Sequence, residues 1–275
     1  WRDKMTKSYL YHYTSLETLA KILQYKSFRL SSLSTVDDMN EGKTRDFGNL
    51  GRFVYVSCWT EKESESSSLW SEYTQKKGVR IKLPVDIFPT VSEFPNLPSP
   101  FGANLEGLPG MLKLDYTKGI KELESEKGVI IMPRKVDLFP VTYTEDPSLL
   151  NLSVYSGEGE RLEINQSLIG RFKVKSSWHH QSEWRYKVFL LPFSIDDFYK
   201  FNSEGTFGEK IHGLRNSDIV PFTYFDLPVD IEKFKDMEIV MSSLLNEEEV
   251  AMVNELVLEY NPTAKIKNST IKLRK

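Results

Sequence analysis

Only one cysteine, Cys58, stands in the 275-residue chain. No internal disulfide can form, which fits a reducing compartment. No apolar run reaches the roughly 18 residues that mark a membrane-spanning helix, so no membrane partner is expected. No signal peptide is visible, and the expected location is cytoplasmic. The chain opens on Trp1 rather than Met, so the natural N-terminus is expected to be missing. Acidic residues outnumber basic ones, 39 to 36, for a net charge of −3. No broad basic field draws in nucleic acid, and net charge gives that partner no support. The nucleophile elbow Gly-x-Ser-x-Gly, the P-loop and the Rossmann glycine fingerprint are all absent. Hydrolase, NTPase and dehydrogenase readings therefore lack their marks. Of four histidines, His179 and His180 lie near Glu183, but His12 and His212 add no pair at zinc spacing. No metal is expected.

What is present alternates strand and helix patterns with no repeat and no break in composition. Ser8 to Tyr13 reads as a strand that carries His12 between two tyrosines. Ser15 to Gln24 reads as a helix, with Leu16, Leu19, Ala20 and Leu23 at helical spacing and Thr14 and Glu17 as its capping box. Strands are predicted over Ser27–Ser32, Arg52–Trp59, Gly78–Pro84, Lys135–Thr144, Glu183–Leu191, the "DIVPFTYFDLP" stretch and Met237–Ser242. Helices are predicted from Ser66, over much of Glu160 to Lys173, and over Glu247 to Tyr260 behind Asn246. Five prolines between Pro89 and Pro109 mark a Pro-rich loop or insertion at about residues 86–110. The economical reading is a single α+β domain over residues 1–275.

Several polar and aromatic residues fall at strand and helix ends. His12 closes the first strand and Ser31 and Ser32 close the second. Trp70 and Tyr73 share a helical turn. Glu183 and Arg185 share one strand face, so they either pair or face a cleft together. Each has a plain alternative. His12 suits a satisfied core histidine, and Trp70 and Tyr73 suit a core. Glu183 and Arg185 suit a surface ion pair worth about 0–1 kcal/mol. Cys58 suits a small buried apolar residue. "DDMNEG" (Asp37–Gly42) suits a solvated loop.

Taken in order, "LYHYTSLETLAKIL", "FRLSS", "DDMNEG", "VYVSCWTE", "LWSEYTQKKGVRIKL", "SEWRYKV" and "KIKNSTIKL" resemble the bacterial family called domain of unknown function 2971. That pattern has a His-Tyr-Thr start, an Asn-Asp-Pro-x-Glu loop, a Cys-Phe-Ser strand, a Trp-x-x-Tyr turn and a late Glu-x-Arg. Here the loop reads Asp37-Asp38-Met39 with Glu41 as its acid, and the strand reads Cys58-Trp59-Thr60. The resemblance extends more distantly to the ADP-ribosyltransferase superfold, which implies a central, mostly antiparallel split sheet flanked by helices. It further implies NAD as substrate and an unknown macromolecular acceptor, as for a toxin or defence effector.

On that resemblance Glu183, His12 and Tyr73 are the catalytic set. His12, Tyr13, Ser31, Ser32, Trp70, Tyr73 and Arg185 would contact NAD. His12 would hydrogen-bond a ribose hydroxyl, and Trp70 or Tyr73 would stack on nicotinamide. Arg29 and Arg80 are further pyrophosphate candidates. The alternative reading is a non-catalytic nucleotide-binding or protein-interaction domain of the same fold.

Overall fold

The structure is a computed structural model that describes residues 8–89, 130–131, 136–156, 163–193, 203–216 and 223–274, with Asp197, Lys200 and Phe201 besides. The chain starts with strand β1 (Tyr9–Thr14) and helix α1 (Leu16–Tyr25). The expected Thr14 cap is displaced by one residue: Ser15 caps α1 by accepting from Thr18 N at 3.2 Å. Thr14 cannot serve because it is still in β1, paired with Val79. Leu19, Ile22 and Leu23 form the buried face of α1.

The next strands are β2 (Ser27–Ser32) and β3 (Val54–Thr60), then helix α2 (Ser67–Thr74) and strand β4 (Val79–Pro84). The predicted strand over 135–144 breaks at Val141 into β5 (Asp137–Pro140) and β6 (Thr142–Thr144). The break is enforced by partners: Val141 N donates to Glu183 O, while Thr142 N donates to Arg171 O. The expected helix within 160–173 is overturned. Its described part holds the short strand Glu163–Ile164, one 3₁₀ turn and strand β7 (Phe172–Val174), which runs parallel to β6. Strands β8 (Glu183–Leu191), β9 (Tyr224–Pro228) and β10 (Glu238–Met241) follow. Helix α3 (Glu247–Tyr260) carries a full capping box between Asn246 and Glu249, and strand β11 (Lys265–Asn268) ends the fold. Most of the Pro-rich segment lies outside the described residues.

The result is a mixed α+β fold on one mostly antiparallel sheet. Its main path runs β9-β2-β3-β1-β4-β10-β11, with β8 on the other edge of β3 and β5 beyond it. Only β10 and β11 pair in parallel within that path. One face buries Leu10, Phe28, Tyr55, Trp59, Ile81 and Val188 against α1 and α3. The other buries Val54, Val56 and Phe189 against Leu33, Phe47 and Phe53. Among the described residues no helix is long and apolar enough to cross a membrane.

One irregularity decides where a site can form. Strand β8 pairs with the whole length of β3, from Glu183↔Thr60 to Phe189↔Val54. The opposite edge of β3 is shared. Strand β2 takes Tyr55 and Val56, and β1 takes only Thr60. Ser57, Cys58 and Trp59 therefore face a gap where β1 and β2 part.

The loop after β2 is pressed against the turn before β3. At Gly42 (φ +78°) an added Cβ would sit 2.5 Å from Gly51 Cα, whereas at Gly48 (φ +68°) it would meet nothing within 4 Å. Both positions share the left-handed strain of about 1–2 kcal/mol for a non-glycine residue. Gly42→Ala adds a backbone clash. In urea unfolding, Gly48→Ala is expected to cost about 1 kcal/mol and Gly42→Ala about 3 kcal/mol or more. Equal losses would show that this contact contributes nothing.

Candidate active site

The cleft at the strand gap encloses about 280 Å³. Because the sheet is open there, both of its faces supply walls. His12, Thr18 and Phe28 come from the α1 side, and Cys58, Tyr73 and Glu183 from the other. A smaller adjoining recess shares His12, Cys58, Tyr73 and Glu183 and adds Gln181.

His12 occupies the gap itself. The Cys58 carbonyl has no strand to accept from on this edge, and the His12 Nδ1–H donates to it at 2.9 Å. That bond sets the tautomer: Nδ1 carries the proton and Nε2 is left as an acceptor. The ring is braced against Trp59 and edge-on to Phe28. Burial lowers the His12 pKa, and the Cys58 carbonyl only partly opposes this. The imidazole is neutral at pH 7.

Glu183 and Arg185 alternate with Trp184 on β8, so both project from one face, beside Cys58 and Thr60 of β3. Neither is at the surface. Glu183 is 3 % exposed and Arg185 0 %. Arg185 Nε donates to Glu183 Oε1 at 2.6 Å, and Nη2 donates to Glu183 Oε2 at 3.2 Å. The same guanidinium holds Glu41 through Nη1 and Nη2 and donates to the Gly170 carbonyl at 2.8 Å. Lys173 Nζ adds a bond to Glu183 Oε2 at 2.9 Å and stands 3.8 Å from Glu41. Two cations thus face two carboxylates. Burial pushes the Glu183 carboxyl up, but Arg185 and Lys173 outweigh it and bring its pKa down to about 2. Burial dominates at Glu41 and raises it. Arg185 is raised well above its ordinary value, since Glu183 and Glu41 overcome its own desolvation.

Tyr73, near the end of α2, is 39 % exposed with its hydroxyl turned inward. Gln181 Nε2 donates to that hydroxyl at 3.0 Å. Burial raises the Tyr73 pKa, as does the negative charge of Glu183. The Tyr143 hydroxyl accepts from Glu183 N at 2.8 Å and pins the start of β8.

The other sequence candidates divide. Ser31 and Arg29 line the cleft; Arg29 is paired with Asp226 and stacked on Tyr224. Ser32 points the other way, fully buried, and accepts from Ser34 N to cap a 3₁₀ turn. Tyr13 touches the smaller recess, but its hydroxyl accepts from Ser66 N. Trp70 lies outside the cleft wall. It is 0 % exposed, edge-on to Tyr13, with its Nε1 donating to Glu65. Its place is the core, so it cannot stack on a ligand in this cleft. Arg80 is stacked over Tyr11 and donates to the Lys62 and Glu63 carbonyls, away from the cleft.

Lys173 and Gln181 were not visible as site residues in the sequence. Lys173 ends the stretch that reads as helix and Gln181 lies just before the strand that opens at Glu183, and neither belongs to a short motif. Among the described residues no three His, Cys, Asp or Glu side chains cluster as metal ligands. No family model matches the chain, and neither a curated protein nor a solved structure does.

The Glu183 pKa has a consequence for acid stability. The unfolded chain takes up this proton near 4.5, the folded one near 2. The stabilisation is therefore complete above about 4.5 and is lost as pH falls toward 2, by about 3 kcal/mol. Glu183→Gln is expected to be less stable at pH 7 by about 3–5 kcal/mol, because Arg185 and Lys173 lose a counter-charge. Its stability should also fall less steeply between pH 4.5 and 2, as read from urea midpoints. Parallel acid limbs in the two proteins would contradict an ionised Glu183.

Proposed function

We propose that the cleft binds NAD and that the protein is an ADP-ribosyltransferase acting on a macromolecular acceptor. The observation that carries this reading is the meeting of His12, Tyr73 and Glu183, from three distant segments, on one cleft at a split in the sheet. The resemblance to domain of unknown function 2971, and beyond it to the ADP-ribosyltransferase superfold, points the same way.

The chemistry asks for few groups. The bond between ribose C1′ and the nicotinamide nitrogen breaks, and its electron pair neutralises the pyridinium. The ribose becomes oxocarbenium-like. A nucleophile of the acceptor bonds to C1′ and loses its proton, giving the ADP-ribosylated acceptor, nicotinamide and one proton. An ionised carboxylate beside the ribose stabilises the growing positive charge. Glu183 is held in that state by Arg185 and Lys173. His12, neutral with a bare Nε2, suits a ribose hydroxyl as donor. Tyr73 suits the nicotinamide side. The enclosed volume suits the nicotinamide-ribose end of the dinucleotide, and the pyrophosphate would meet Arg29, a lining cation already paired with Asp226.

One observation favours a second reading, a nucleotide-binding module without turnover. Both oxygens of Glu183 are engaged by Arg185 and Lys173. The test is nicotinamide release from NAD, followed by NMR with and without cell lysate as a source of acceptor. On the transferase reading, wild-type protein releases nicotinamide and Glu183→Gln slows release by about 10²–10³-fold. Calorimetry on the same variant should still detect NAD. Binding without release, lysate included, would select the binding module. No binding at all would overturn both readings.

A further inference from the structure

Gln181 is buried, and each of its side-chain atoms has an assigned partner. Lys173 Nζ donates to Oε1 at 3.0 Å. An ammonium group can only donate, so the oxygen must face Lys173. Nε2 then donates both its hydrogens, one to Glu72 Oε2 at 3.2 Å and one to the Tyr73 hydroxyl at 3.0 Å. The amide cannot flip without facing Lys173 with an NH₂ and Glu72 with a carbonyl. Tyr73 is thereby an acceptor toward Gln181, and its own O–H has no acceptor among the described residues. His12 is set in the opposite sense, since its Nδ1–H is spent on the Cys58 carbonyl and Nε2 has no partner among the described residues. Both side chains line the same cleft.

We propose that Gln181 is a positioning residue that sets the hydrogen-bond polarity of the cleft, making Tyr73 a donor opposite the acceptor His12. The cleft then selects a neutral ligand end that offers both a donor and an acceptor, namely a hydroxyl or a primary carboxamide. It disfavours a carboxylate, which brings only lone pairs to a site where His12 already presents one. A site built for a donor rejects the analogue that lacks it, because a buried polar group is left unpaired. This inference deepens the NAD reading and rests on it for the identity of the ligand. The polarity itself is a property of the free protein. The relay also explains the role of Lys173: it ties the charge state of Glu183 to the orientation of the Gln181 amide, and through it to Tyr73.

The test has a ligand-free part and a ligand part. Nitrogen-15 spectra of ring-labelled histidine, assigned with His12→Asn, should show Nε2 of His12 unprotonated at pH 7. The Tyr73 Cζ resonance in tyrosine-labelled protein, assigned with Tyr73→Phe, should shift in Gln181→Met, a substitution of similar volume. A protonated Nε2, or a Tyr73 signal unmoved by Gln181→Met, would overturn the proposal. In calorimetry, NAD should bind at least tenfold tighter than its deamidated form, nicotinic acid adenine dinucleotide. Gln181→Met should erase most of that preference, and in a Tyr73→Phe background it should cost nothing further. Equal binding of both dinucleotides to the wild-type protein would reject the selectivity. If neither dinucleotide binds while both spectra behave as expected, the NAD reading fails and the polarity stands.

Discussion

A guanidinium buried within a sheet face is the constraint from which the site follows. Arg185 has no water to turn to, so its nitrogens must be met by protein. Glu183, two residues earlier on the same strand, supplies one side. The other side must come from elsewhere, and Glu41 supplies it from the loop after β2. That loop reaches its place because Gly42 and Gly51 let two backbones touch. The Gly170 carbonyl closes the remaining position and brings in the segment that carries Lys173. Such a network is weak as a source of stability, because desolvation offsets most of the attraction. Its effect is geometric: three separated segments are held in one register around the cleft floor.

The same floor lies beside an opening that the sheet cannot close. Strand β3 gives one whole edge to β8 and divides the other between β2 and β1. A carbonyl on the undivided stretch would go unsatisfied, and an unpaired buried carbonyl is costly. The His12 side chain fills the place of a missing strand at Cys58. The histidine is thus both structural and exposed to the cleft. Its structural bond is what leaves the second nitrogen bare. The plain and the functional readings of His12 are two ends of one ring.

Much of the fold was legible because periodicity reports burial. Strands β1, β2, β3, β4 and β8 and helices α1 and α3 fall within a residue or two of their sequence expectations. The failures share a cause. At Val141 single hydrogen bonds to Glu183 and beyond, and over residues 163–174 short strand pairings with residues 155–156 and 142–144, override the local pattern, and no local pattern can announce them. The site was legible in part. His12, Tyr73 and Glu183 stood out by position in a recognisable order, while Trp70 and Tyr73 could not be told apart by spacing alone. At i, i+3 they share a helical turn, yet one meets Tyr13 and the other meets Gln181. Glu41 looked like one acid in a solvated loop. Only the register of Arg185 gives it a partner.

The crowding around Glu183 bears on whether it can act. An ionised carboxylate offers about four lone-pair sites. Arg185 takes two and Lys173 takes one, and Cys58 stands beside the same carboxylate, on the neighbouring strand and the same sheet face. A substrate hydroxyl must therefore take the one remaining site or displace a donor already present. Arg185 and Lys173 are costly to displace, because each would leave a buried charge unmet. The thiol is different. It is a weak donor, burial raises its pKa so that it stays protonated, and Cys58 lines the cleft. A ribose hydroxyl that took the remaining site, next to the thiol, would gain a hydrogen bond and leave both ion pairs intact. On the transferase reading, then, the carboxylate need not be freed from the network that keeps it ionised. It need only use the site that those ion pairs leave.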